Sequence, residues 1–471
     1  MKKRLSFAET LSVGSMLFGL FFGAGNLIFP VYMGQAAGSR IWVAVLGFLV
    51  TGVGIPLLGV AALGMSRSSG LLEMSSKAGR KYGLFFTCLL YLTIGPFFAI
   101  PRCASTSFSV GIRPALENES SAGWVIWVFS FLFFAAVLWF SLRPGKILLW
   151  VGKLLTPLFL VSLGLLTVTA LIFPMGEVSS VVPQEAYQSG PFFKGFLEGY
   201  NTMDALAGLA FGIVVVNAIQ RLGVTEPAAV AGNTIRSGIF GCALMAIIYI
   251  LTTWVGAQSR VLYPMCADGG EVLHVVARHY FKDAGAIILA VIVTLACLKT
   301  AVGLITSCGE CFSAMFPKGP SYRVWAIGFC VLSFLIATLG LDTIIAYSIP
   351  VLMFLYPLAI TLILLALCGR LFGNDRTVYA WTTGFTLAAA VFDLVKALPQ
   401  GLLPDTVSEA LLSVGGLLPF FDLGLGWICP AAVGLGIGLI IHAVRRRRGP
   451  QQAEKPIAEV AAEPSAEPTE F

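Results

Sequence analysis

The chain has 471 residues, 57% of them hydrophobic and only 11% charged, with a mean hydropathy of +0.88. A soluble domain carries about 25% charged residues, so a water-facing surface is excluded over most of the chain and lipid must be its main solvent. The net charge of +6 does not require nucleic acid, because where the lysines and arginines fall matters more than their sum.

A helix needs about 20 apolar residues to cross the hydrocarbon core. Twelve such segments are predicted, giving an all-α integral membrane protein with 12 transmembrane helices. The first half holds segments at about 9–32, 40–65, 82–112, 122–142, 147–173 and 192–219. The second holds about 231–257, 283–315, 321–340, 342–368, 377–396 and 417–443. Short loops separate them, such as Arg143-Pro144-Gly145-Lys146 and Phe316-Pro317-Lys318-Gly319-Pro320. The opening Lys2-Lys3-Arg4 resembles the start of a signal peptide, but the apolar stretch contains Glu9 and runs on to Pro30, which favours a first span.

The basic residues set a topology. With a cytoplasmic N-terminus and twelve crossings, the inside segments hold Lys2 to Arg4, Arg67, Lys77, Arg80, Lys81, Arg143, Lys146, Arg221, Arg236, Lys318, Arg323, Arg370, Arg376 and Arg445 to Arg448. The outside segments hold Arg40, Arg113, Lys194, Arg260, Arg278, Lys282 and Lys396. Both termini are therefore expected in the cytoplasm. Residues 1–445 read as one transporter domain, and 446–471, rich in Pro, Ala, Glu and Gln, as a disordered cytoplasmic tail. The run Arg445 to Arg448 is a topology anchor or a contact for anionic lipid heads.

Segment order suggests an internal repeat: repeat one at about 9–173, repeat two at about 192–368, and two extra helices at about 377–443. A five-helix unit is odd, so its copy must enter the membrane from the opposite side, the geometry of inverted-repeat transporters. Segments one and six each place small and polar residues near mid-membrane, as Gly23-Ala24-Gly25-Asn26 and as Asn201-Thr202-Met203-Asp204 with Gly208. Broken helices at a bilayer-centre site produce this pattern; close packing through small residues is the alternative.

At these residues the sequence resembles the bacterial branched-chain amino-acid carrier family, sodium-coupled importers of leucine, isoleucine and valine. The resemblance rests on Phe21-Phe22-Gly23-Ala24-Gly25-Asn26-Leu27-Ile28-Phe29-Pro30, Ile94-Gly95-Pro96-Phe97-Phe98-Ala99-Ile100-Pro101-Arg102, Thr202-Met203-Asp204-Ala205-Leu206-Ala207 and Gly303-Leu304-Ile305-Thr306-Ser307-Cys308. It covers about residues 5 to 445 and is distantly similar to the LeuT-type fold, which implies the five-plus-five architecture, a bacterial inner-membrane location and a branched-chain amino acid as substrate.

Such a substrate brings two charges into the membrane, and each needs a partner. The N–H groups freed at Gly23, Ala24 and Gly25 form the positive end of a half-helix, suited to the carboxylate, with Asn26 as a further ligand. Carbonyls near Asn201 to Asp204, together with Asp204 itself, suit the ammonium or a sodium ion. By resemblance, Thr300 on segment eight is expected to bind sodium with the carbonyls of Phe22 and Gly23. Lys299 departs from the apolar residue expected in the family: it pairs with Asp204, supplies the fixed charge that sodium supplies elsewhere, or faces away. Arg102 is a gate residue, a recognition residue for arriving substrate, or a support for irregular helix three.

An enzyme would need nucleophiles or metal ligands inside the spans. The three histidines, His274, His279 and His442, lie outside mid-membrane. The ten cysteines sit singly apart from the loose Cys308/Cys311 pair and read as small core residues, so no cofactor beyond the coupling ion is expected. A channel would need a filter of repeated loops, and none is evident.

Overall fold

The computed structural model describes residues 3–66, 68, 70–116, 119–142, 160–161 and 163–447. Every regular element among them is a helix. Arg67, the Arg143 to Lys146 loop, most of the fifth segment with Lys153, and the tail from Arg448 onward lie outside the described residues.

Helix α1 (Phe7–Phe21) starts at a capping box. The Ser6 hydroxyl accepts from the Glu9 amide at 3.3 Å, and the Glu9 carboxylate accepts from the Ser6 amide at 2.8 Å. Glu9 is thus a helix starter at the membrane edge. The chain breaks over Phe22 to Ala24 and resumes as α2 (Gly25–Ala37). Next come α3 (Ile41–Leu49) and α4 (Ile55–Ser66), joined by the π-helical turn Val50–Gly54, then the short α5 (Leu71–Ser76). The long third segment is α6 (Arg80–Leu92) and α7 (Ala99–Gly111), with a bend at Thr93–Phe97 where Gly95 leaves helical geometry ahead of Pro96. After α8 (Glu119–Ser141) and the described part of the fifth segment, α9 (Leu163–Ile172), comes the small α10 (Glu185–Gln188).

The sixth segment is broken like the first. Helix α11 (Pro191–Glu198) tightens into the 3-10 turn Gly199–Thr202, and α12 (Asp204–Arg221) starts afresh beyond Met203. Met203 takes the left-handed conformation, φ +62°, which non-glycine residues adopt at a cost of about 1–3 kcal/mol. Helices α13 (Pro227–Leu262), α14 (Gly269–Met315), α15 (Tyr322–Ala337), α16 (Leu341–Cys368), α17 (Arg376–Ala397), α18 (Asp405–Gly415) and α19 (Ile428–Arg447) complete the chain. Among the described residues, nine helical stretches are long and apolar enough to cross a membrane, and α9 and α15 are shorter apolar helices.

Three boundaries differ from the sequence reading. The last helix starts at Ile428 rather than near 417, because Phe420 and Gly424 both take left-handed turns there. It also runs through Arg447, so residues 446 and 447 are helix rather than tail. The eighth segment begins at Gly269, with a sharp bend at Lys282 (φ +55°) ahead of its apolar part. Cys368, read as a core residue, is exposed. Large apolar side chains such as Trp42, Leu46, Trp124, Phe131 and Trp139 face outward, as a lipid-facing surface requires.

Paired glycines draw the broken helices onto their neighbours. Gly34 of α2 lies against the Thr253 carbonyl of α13, and Gly256 of α13 against the Val31 carbonyl of α2. In the other half, Gly195 of α11 lies against Ala44 of α3, and Gly47 of α3 against Phe192 of α11. A side chain at any of these positions would run into backbone. We expect Gly256→Leu and Gly47→Leu each to destabilise the protein by about 1–3 kcal/mol or more. Fluorescence-detected size exclusion in detergent, with heating, reads this as a lower apparent melting temperature. Gly328→Leu, at a position where an added Cβ meets nothing within 4 Å, should leave it unchanged.

Candidate functional site

The two breaks face each other in the interior. Asn26 opens the first turn of α2 and is 1% exposed; Asp204 opens α12 and is equally buried. The Asn26 side-chain oxygen accepts from the Gly23 amide at 2.8 Å, closing the break on itself. Its amide nitrogen donates to Asp204 Oδ2 at 2.7 Å and also meets the Tyr249 hydroxyl of α13. Tyr249 in turn donates to Asp204 Oδ2 at 2.9 Å. Both bonds fall on the same carboxylate oxygen. One side chain thus joins the backbone of the first break to the acid of the second.

Arg102 of α7 completes the centre. It is 3% exposed, and its Nη1 donates at 2.8 Å to the carbonyl of Asn201, at the end of the 3-10 turn. Its guanidinium carbon lies 4.8 Å from the Phe29 ring centroid, a cation–π contact. Nη2 stands 2.8 Å from where a Cβ at Gly25 would be, so only glycine admits the guanidinium to the start of α2. The Nε hydrogen has no acceptor, and among the described residues no carboxylate lies within 4 Å of this arginine. The first turn of a helix also leaves amides without intrahelical acceptors. Positive helix end and buried guanidinium therefore converge at Gly25 with no protein anion between them.

Thr300 of α14 borders the first break. Its Cγ2 and Oγ1 stand 3.3 and 3.8 Å from a Cβ built on Gly23. Its hydroxyl also donates to Ala296 at 3.1 Å. Lys299 reaches the same helix from the other side: its Nζ is 3.9 Å from a Cβ at Gly19, within the last turn of α1. A cation there meets the negative end of the helix.

Residues 6–445 match the family described as branched-chain amino acid transport protein. The chain belongs to that family. This is a family of transport proteins, which agrees with the transporter class read from the sequence. A branched-chain amino acid permease BrnQ of Lactobacillus delbrueckii subsp. lactis is 51% identical over 448 residues, spanning 95% of this chain and 100% of that protein. The BrnQ permease of Bacillus subtilis is 41% identical over 447 residues, with 95% and 100% covered. Among solved structures, Mhp1, a nucleobase-cation-symport-1 family transporter, superposes with a TM-score of 0.59 at 15% identity, covering 96% of each chain. MhsT in complex with L-phenylalanine gives 0.56 at 15% identity, covering 93% of this chain and 99% of that one. At that identity these two show a shared, LeuT-like transporter fold.

Of the residues that the sequence singled out in this family member, Gly23, Ala24, Gly25, Asn26, Asp204, Arg102 and Thr300 gather at the breaks. Phe22 ends α1, its ring stacked on Phe18 with centroids 4.9 Å apart. Thr202 bonds locally, to the Gly199 carbonyl at 2.9 Å and from the Asp204 amide at 3.4 Å, capping the restart of α12. Gly208 packs closely on α4: a Cβ there would come within 2.7 Å of the Pro56 carbonyl. Lys299 lies beside Gly19 of α1, and among the described residues no ion pair joins it to Asp204. Of the carbonyls near Asn201 to Asp204 expected to face the ammonium or a sodium ion, that of Asn201 accepts from the Arg102 guanidinium.

The sequence reading passed over Tyr249 and Phe29. Tyr249 is fully buried, and its one signal was a hydroxyl in the middle of a long apolar segment. Tyr249→Phe keeps the ring, which packs edge-on against Phe48 at 5.0 Å, and removes one donor to a buried carboxylate. A lost bond to a charged group is worth about 1.5–3 kcal/mol. We expect roughly tenfold slower substrate uptake in reconstituted vesicles, with unchanged membrane insertion on immunoblots.

Proposed function

We propose that this protein imports leucine, isoleucine and valine across the bacterial cytoplasmic membrane by alternating access. The observation that carries the reading is the pair of facing helix breaks, with a buried guanidinium at one pole and a buried carboxylate at the other. The two charges of a zwitterion match such poles. Its carboxylate takes the Nη2 and Nε hydrogens of Arg102 with the amides at the start of α2. Its ammonium faces Asp204 Oδ1, since the bonds from Asn26 and Tyr249 fall on Oδ2. Arg102, considered above as a gate residue, becomes the carboxylate anchor. The relatives named as branched-chain amino acid permeases support the substrate class.

The architecture we propose is twelve spans with both termini cytoplasmic: a five-plus-five inverted repeat and two further helices. The glycine pairs support it. The first half of helix one meets segment seven through Gly14 and Gly241, and the first half of helix six meets segment two through Gly195 and Gly47.

Sodium is the proposed coupling ion, held by the Thr300 hydroxyl with carbonyls near Phe22 and Gly23. A second reading is favoured by Lys299, whose ammonium reaches the carbonyl end of α1 and supplies there the charge that sodium would bring. Vesicle uptake with and without an inward sodium gradient separates the two. Strict sodium dependence supports the first, and equal uptake from sodium and choline buffers supports the second.

For the substrate, unlabelled valine and isoleucine should compete with labelled leucine; failure of both removes the branched-chain assignment. Asp204→Asn should abolish uptake with normal membrane insertion. Arg102→Gln should weaken leucine binding about tenfold to a hundredfold, from about 1.5–3 kcal/mol of lost charged hydrogen bonding. Arg102→Lys should not restore it, because the fork is lost. Wild-type binding by Arg102→Gln removes Arg102 from the site.

A further inference from the structure

A second buried acid takes no part in the site above. Asp393, near the end of α17, is fully buried, and neither carboxylate oxygen has a hydrogen-bond partner. The Gly426 amide approaches it without reaching hydrogen-bonding geometry. An isolated carboxylate is very costly to bury as an anion. Two more buried polar groups close by are equally unpartnered, the Tyr200 hydroxyl and the Trp427 indole N–H, which adjoin one another.

The neighbouring charges are committed elsewhere. Lys396, one turn along α17, donates to the carbonyls of Phe421 at 2.8 Å and Asp422 at 3.0 Å. On α11, Lys194 and Glu198 pair with each other at 2.9 Å. Asp393, Tyr200, Lys396, Lys194, Glu198 and Asp422 line one cavity of about 400 Å³ between α11, α16 and α17. Tyr356 faces Tyr200 from α16, Asp405 and Glu409 of α18 line a separate hollow with Lys396, and α19 carries Cys429 at its start and its charged groups, with His442, at its far end.

Tyr200 ties this acid to the transport site. Its ring stacks on Tyr356 with centroids 3.9 Å apart. It directly precedes Asn201, whose carbonyl holds Arg102. The charge on Asp393 therefore acts on the same turn that positions the carboxylate anchor.

We propose that Asp393 is a proton-binding site, loaded from this cavity and emptied during the transport cycle, so that a proton moves together with the amino acid. The proton comes from water in the cavity, forms a neutral carboxyl group on Asp393, and returns to water on the opposite side. Sodium suits the position less well, because hard cations collect several oxygen ligands. Here the neighbours include an indole N–H and a lysine. This inference rests on the amino-acid transport reading.

The full-length protein in vesicles containing a trapped pH dye tests it, with labelled-leucine exchange measured in parallel. Leucine added outside should acidify the lumen with the wild type. Asp393→Asn should keep leucine exchange, lose the acidification, and lose the pH dependence of uptake. Wild-type exchange without proton movement, or proton movement unchanged in Asp393→Asn, overturns the proposal. Absence of leucine exchange in the wild type overturns the transport reading as well, and is thereby distinguishable. Should the variant not reach the membrane, the wild type decides: a hydrophobic carbodiimide should modify Asp393, by mass spectrometry, increasingly as the pH falls. No modification at any pH overturns the site.

Discussion

In hydrocarbon a backbone N–H or C=O without a partner costs several kcal/mol, and this chain interrupts two of its central helices. Everything at the centre follows from how those freed groups are met. Asn26 gives its side-chain oxygen to the Gly23 amide and its nitrogen to Asp204, so one residue repairs the first break and fastens it to the second. Arg102 takes the carbonyl that ends the 3-10 turn before the second break. Neither repair is complete by itself. The arginine keeps an unused Nε hydrogen beside the first turn of α2, and among the described residues no carboxylate lies within 4 Å of it. The proposed site for a zwitterion lies at that incomplete repair.

The buried charges divide the interior by helix polarity. Arg102 lies where α2 begins and the 3-10 turn ends, so the negative end of one half-helix offsets the positive end of the other. Lys299 lies against the closing turn of α1. Asp204 lies at the first residue of α12, where an anion is favoured, with two further donors on it. Asp393 departs from the pattern, with neither a helix start nor a donor. The contrast separates an acid held by two side-chain donors from one held by none.

Much of the scaffold could be read from the sequence. Apolar runs located most spans to within a few residues, since the thickness of the hydrocarbon fixes their length. The breaks could be read because Gly-Ala-Gly-Asn and Asn-Thr-Met-Asp are poor choices for mid-membrane helix unless they serve a purpose. Glycines could be recognised but not sorted. Gly23 and Gly25 border the break, whereas Gly208 sits against Pro56, and only the neighbours across the interface distinguish the two uses. The twelfth segment was misplaced because the apolar composition runs unbroken through residues that turn at Phe420 and Gly424.

The sequence by itself determined that the chain lives in lipid, where its helices break, and that Asp204 must have a purpose, because hydrophobic length and the cost of buried charge act residue by residue. The tertiary structure decided which groups meet. Arg102 is 99 positions from Asn201 and Tyr249 is 45 from Asp204, and no local pattern encodes such pairings. Folding likewise set Lys299 beside Gly19 in the last turn of α1, where the carbonyl end of a helix attracts a cation.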